Sequence, residues 1–193
     1  MTLLPKHFKQ HLIERHGQTE AEEWMERLPA ILASCAQSWQ LTIFPPFENL
    51  SFHYVAPARR ADGMSVVIRV DAPTGEFAQE AEAMRLFNGE GIARLLECDE
   101  EQKVLLLERL EPGTMLAELV PDQDERAISV LTSVMRQLWR PAPAQHNFPT
   151  VEQWAQGFQR LRVRYDGGCG PLPTHLVEEA EALFAELLAT AGP

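Results

Sequence analysis

A chain of 193 residues, 45% hydrophobic and 23% charged, can build one good core or two small lobes, and its composition is not that of a disordered protein. The net charge of −11 argues against a long nucleic-acid partner, which needs a basic stripe, and favours a small cationic molecule, although acidity also serves solubility alone. No apolar run reaches bilayer length, the N-terminus lacks a signal-type stretch, and Cys35, Cys98 and Cys169 are odd in number without metal spacing, so a cytoplasmic protein with no membrane partner is expected.

Residues 3–16 read as a short helix with Phe8 and Leu12 on one face. His7 and His11, at i and i+4, could both reach one metal, but no third ligand is evident and exposed helix histidines are the default. A helix is expected from Thr19 to Leu28, and Pro29 then opens another with Ile31, Leu32, Cys35 and Trp39 as its apolar face. Leu41–Phe44 is a candidate first strand, stopped by Pro45-Pro46, and Phe52–Val55 a second. Asp62-Gly63 marks a hairpin turn into the strand Ser65–Val70.

Next comes a helix from about Glu76 to Asn88, with Phe77, Ala81, Met84 and Phe87 at helical spacing and Gly89 and Gly91 beyond it. Ala93–Cys98 and Val104–Glu108 make a second hairpin across Asp99–Gln102. Residues 41–112 therefore describe a small antiparallel α+β lobe, with helices at 1–40 before it. The part from 113 to 193 reads as all helical: 122–139 with Ile128, Leu131, Val134 and Leu138 in register; a helix opened by the capping box Thr150/Gln153 with Trp154, Phe158 and Leu161; and a last helix from about His175 to Leu188 with Leu176, Ala180, Leu183 and Leu187 facing inward.

Arg69 is flanked by Ile68 and Val70 in a strand that reads as buried, and a buried charge is costly unless paired. Glu80 is the nearest helix acid able to face it. Glu82 lies about 200° further around the helix, so only one of the two can serve. The bland alternative puts Arg69 at a strand edge and Glu80 on the surface. A strand cation, a helix acid and a second apolar strand, Leu105-Leu106-Leu107-Glu108, running into Glu111-Pro112-Gly113, follow the order of a nucleotide-binding kinase lobe.

Asn49–Val55, Val66–Arg69, Glu80–Leu86, Arg94-Leu95-Leu96 and Leu105–Gly113, in that order and spacing, resemble the aminoglycoside/hydroxyurea antibiotic-resistance kinases, and the likeness extends over almost the whole chain. The resemblance implies a protein-kinase-like N-lobe followed by an incomplete helical C-lobe, phosphoryl transfer from ATP to an alcohol of an aminoglycoside-type antibiotic, and use of ATP with Mg²⁺ by the complete family member. It assigns Asn49 and Ser51 to a loop over the phosphates, Arg69 to the place where such kinases carry lysine, Glu80 to its helix partner, and Glu108 and Leu110 to the hinge at adenine. The family's His-Gly-Asp segment and later metal-holding aspartate do not occur before Pro193, so no catalytic or metal residue is assigned. Asp122, Asp124 and Asp166 lack that context. Three readings stay open. One is an enzyme by descent that is inactive as this truncated chain, and the second is a non-catalytic remnant that holds nucleotide or a partner. The third is an interaction protein whose exposed helical faces drive self-association or take up a complementing chain.

Overall fold

Burial on two sides organises the central sheet. In the computed structural model, which describes residues 4–73 and 76–190, five antiparallel strands stand in the order β1-β2-β3-β5-β4. They are β1 (Leu41–Ile43), β2 (Tyr54–Arg60), β3 (Ser65–Val70), β4 (Leu95–Asp99) and β5 (Val104–Glu108). One face of β2 and β3 (Tyr54, Ala56, Ala58, Val66, Ile68, Val70), joined by Val104 and Leu106, packs on α1 (Lys6–His16) and α2 (Gln18–Ser38). The opposite face, with Leu105 and Leu107, packs on Phe77, Ala81 and Met84 of α3 (Phe77–Phe87). Period-two alternation sends neighbouring residues to opposite faces. That is why the apolar run of β5 is buried from Val104 to Leu107.

Several elements differ from the expected ones. The first helix begins at Lys6, and Leu3 lies outside the described residues. Pro29 opens no new helix: Gln18–Ser38 is one continuous helix with Pro29 inside it. An interior proline costs about 3 kcal/mol. Trp24, Leu28, Ile31, Leu32 and Cys35 on one buried face outweigh this, since burying each large apolar side chain contributes about 1.5–3 kcal/mol. β2 starts at Tyr54 and runs on through Pro57. The Pro57 carbonyl accepts the Phe44 N–H at 2.9 Å, so its ring nitrogen faces the same side, where β1 has ended at Ile43 and no donor is required. The Asp62-Gly63 turn forms as expected, with Gly63 at φ +90° and the Met64 N–H donating to Asp62 Oδ1 at 2.9 Å.

The described chain divides into two compact units, Met1–Gln145 and His146–Pro193. The first also holds a short 3-10 helix, Leu116–Leu119, and α4 (Asp124–Leu138). Beyond α4, Arg140 Nη2 donates to Glu90 Oε2 at 2.7 Å and the guanidinium lies over Phe87. The second unit is a helix pair, α5 (Val151–Arg164) and α6 (Thr174–Thr190). The Thr150/Gln153 capping box forms in both directions, at 3.1 and 2.9 Å. Phe158 meets Phe184 edge to face, and Arg162 makes a two-pronged ion pair with Glu181. Leu176, Leu183 and Leu187 do not face inward: each is more than half exposed. No helix of the described residues is long and apolar enough to cross a membrane.

Phe8 has no exposed surface and wedges α1 onto the sheet and Trp24, whereas Trp154 is 69% exposed. Phe8→Ala should therefore cost about 3–5 kcal/mol in urea unfolding, and Trp154→Ala within about 1 kcal/mol.

Candidate functional site

The site is built on the end of β3. Arg69 and Asp71 are two residues apart and share the sheet face that looks towards α3. The Arg69 guanidinium makes the expected contact: Nη2 donates to Glu80 Oε2 on α3. It also makes one that the sequence reading missed. Nε donates to Asp71 Oδ1 at 2.8 Å and Nη2 to Asp71 Oδ2 at 3.1 Å, a two-pronged pair. Arg69 is thus held between two carboxylates, with 13% of its side chain exposed against 1% for Asp71 and 38% for Glu80.

His53 completes the cluster. β2 and β3 pair Tyr54 with Val70, so the residue before Tyr54 falls opposite the residue after Val70. His53 Nε2 stands 3.4 Å from Arg69 Nη2, and its Nδ1 lies 3.5 Å from Asp71 Oδ1. That Nδ1 is buried with no hydrogen-bond partner among the described residues. Asp71 is locked by its own backbone: its N–H donates to the Lys103 carbonyl at 3.0 Å, and its carbonyl accepts the Trp24 indole N–H at 2.8 Å. One ligand-type atom from each of His53, Asp71 and Glu80 lies within 4.8 Å of the others.

The other expected residues fall in two places. Asn49 and Ser51 are exposed on either side of buried Leu50, in the loop that delivers His53. The Leu50 carbonyl is 3.1 Å from His7 Nε2, and the His11 ring packs edge-on against Phe52. His7 and His11 therefore serve the loop rather than a common point. Glu108 ends β5, paired with Val66 and about 10 Å along the sheet from the Arg69 position. Its N–H donates to the Arg94 carbonyl at 3.0 Å and its carboxylate accepts the Arg94 N–H at 2.8 Å. Leu110 is 60% exposed just beyond. Signals for the two missed residues exist in the sequence: Asp71 is i+2 from a buried arginine on an alternating strand, and His53 is its cross-strand neighbour once the hairpin register is set.

Burial, then the Arg69 charge, push the His53 imidazole from its ordinary value near 6.5 down to about 4, so the ring is neutral near pH 7. Burial pushes the Asp71 carboxyl up to about 6, against the pull of Arg69. A histidine whose folded pKa is depressed contributes stability above pH 6.5 that is lost as pH falls towards 4. His53→Gln removes that loss. Its stability relative to the unsubstituted chain should therefore rise as pH is lowered across this window, by on the order of 3 kcal/mol, in urea unfolding at each pH.

Residues 46–192 match the model of the aminoglycoside/hydroxyurea antibiotic resistance kinase family. A streptomycin 6-kinase from Streptomyces griseus is 33% identical over 130 residues, covering 67% of this chain and 42% of that protein. A hydroxyurea phosphotransferase from Kitasatospora aureofaciens is 34% identical over 124 residues, covering 64% and 36%. A streptomycin 6-kinase from Streptomyces glaucescens is 31% identical over 125 residues, covering 64% and 40%. The chain spans about two-fifths of the length of these relatives. No solved structure matches. With the family match covering most of its length, the chain belongs to the aminoglycoside/hydroxyurea antibiotic resistance kinase family.

Proposed function

We propose that the sheet unit is the nucleotide lobe of an ATP-dependent phosphotransferase that acts on an alcohol of a small cationic molecule, in the cytoplasm. The observation that carries this reading is the Arg69–Glu80 contact between β3 and α3, placed beside the loop bearing Ser51. Family membership and the names of the relatives, streptomycin 6-kinase and hydroxyurea phosphotransferase, support it and suggest an aminoglycoside-type acceptor. The acidic surface suits a cationic acceptor.

The residues present fit a triphosphate in part. Arg69 Nε and Nη2 are committed to carboxylates, which leaves Nη1 as the donor for a phosphate oxygen. Glu80 and Asp71 fix the guanidinium plane. The Ser51 hydroxyl and the amides of its loop would supply further donors. ATP, when bound, provides the phosphoryl group; the chain's own residues hold and orient it. The trio of His53, Asp71 and Glu80 does not fit Mg²⁺, which prefers oxygen ligands throughout, and the guanidinium already serves as the cation among them.

A second reading, a nucleotide-holding member without turnover, is favoured by one observation. Asp71 takes up two of the hydrogen bonds of the cation that a phosphate would need. Titration calorimetry with ATP tests the shared part. Arg69→Gln should weaken binding about tenfold, and Glu80→Ala about threefold by releasing the guanidinium. Equal affinity in all three proteins would remove the cradle. ADP release from ATP with streptomycin present then separates the two readings: turnover selects the enzyme, and binding without turnover selects the second.

A further inference from the structure

We propose that α1 is part of the nucleotide site and that Arg15 is a second phosphate-binding cation there, an inference that rests on the nucleotide reading above. α1 lies outside the segment that the family model matches, so the family assigns it nothing. Its residues His7, His11 and Arg15 are at i, i+4 and i+8 and therefore form one ridge along the helix. The ridge tracks the loop that bears Ser51. His7 reaches the Leu50 carbonyl, His11 packs on one side of Phe52, and the Arg15 guanidinium lies over the Phe52 ring at 4.9 Å. Phe52 is 46% exposed, so its ring is accessible on the face that Arg15 covers. The next residue, His53, touches Arg69.

The charge pattern gives this arrangement a purpose. Arg69 is neutralised by Asp71 and Glu80 together, and the local sum of those three groups is negative. A triphosphate arriving there needs another cation. Arg15 is exposed and makes no ion pair among the described residues, although the chain carries 28 acidic residues. A guanidinium laid on an aromatic face is oriented by the ring and keeps its N–H edge free for a planar, two-pronged contact with phosphate. Arg15 is also close enough to His53 for its charge to act on that ring. The loop itself has no glycine between Leu41 and Tyr54 to bring its backbone close to a phosphate, and a cationic side chain from outside the loop adds donors to those of Ser51 and the loop amides.

The test compares ATP with adenosine, which has the same base and no phosphates, by titration calorimetry at two salt concentrations. Arg15→Gln should weaken ATP binding about tenfold, leave adenosine binding within about twofold, and flatten the salt dependence of ATP affinity. Arg15→Lys, which keeps the charge but not the planar fork, should recover only part of the loss. The site of substitution is exposed, and an unchanged melting temperature shows that the fold is intact. ATP bound equally by the unsubstituted chain and Arg15→Gln would overturn the role of Arg15 and leave the Arg69 cradle standing. Equal losses for ATP and adenosine would overturn it too, as a purely structural effect. No ATP binding by the unsubstituted chain would instead overturn the nucleotide reading, and this inference with it.

Discussion

One guanidinium connects the parts of the sheet unit. An unpaired charge buried in a β/α interface would cost several kcal/mol, so the face of β3 that carries Arg69 can close on α3 only with carboxylates in place. Glu80 comes from the helix and Asp71 from the strand's own continuation. The contact lies at the edge of the apolar cluster of Phe77, Ala81, Met84, Leu105 and Leu107. The apolar cluster supplies the attraction between sheet and helix, which is not directional. The ion pairs supply direction, because a two-pronged guanidinium–carboxylate contact tolerates little rotation.

The same cluster is joined to the other core through the backbone of Asp71. Its carbonyl takes the Trp24 indole proton from α2, and its amide is bonded to the Lys103 carbonyl at the start of β5. The long helix that covers one face of the sheet therefore fixes the residue that holds the cation on the other face. That gives α1 and α2 a structural reason to precede the sheet. They bury Tyr54, Ile68 and Val70 from behind and, through His7 and His11, hold the loop that brings His53 alongside Arg69. A sheet buried on both faces can carry the unbroken apolar run of β5 without exposing an aggregation-prone surface.

Much of this was legible in the sequence where one local signal dominates. β3 and β5 show as short apolar runs between turn residues, and α3 as a helical repeat stopped before Gly89, with Asn88 in the left-handed cap at φ 47°. The Arg69–Glu80 contact followed from the cost of an unpaired buried charge alone. What was not legible depended on competition between terms. Pro29 signals a helix start, and only the summed burial along α2 overrides it. Asp71 follows the end of an expected strand and is assigned no role from sequence, because its fixed position depends on Trp24, 47 residues away. His53 looked like an ordinary strand residue until the β2–β3 register placed it against Asp71. The inward faces expected for α6 failed for a related reason. Periodicity identifies which residues share a face but not what covers it.

Arginine at position 69 and aspartate at position 71 are best understood as two halves of one arrangement. The family resemblance implies lysine at this strand position, and an ammonium is a compact point charge with three donors. It could meet Glu80, but it could not also span both oxygens of Asp71 with the fixed parallel geometry seen here. A planar fork with five donors can do both at once. Asp71 in turn would be an unsatisfied buried carboxylate beside a shorter cation, since burial already pushes its proton affinity upward. The arginine therefore makes the aspartate tolerable, and the aspartate draws on charge that a lysine would leave for phosphate. In this chain the strand cation is more strongly anchored and less available than an ammonium would be, so any anion held here must find its remaining charge balance from outside β3 and α3.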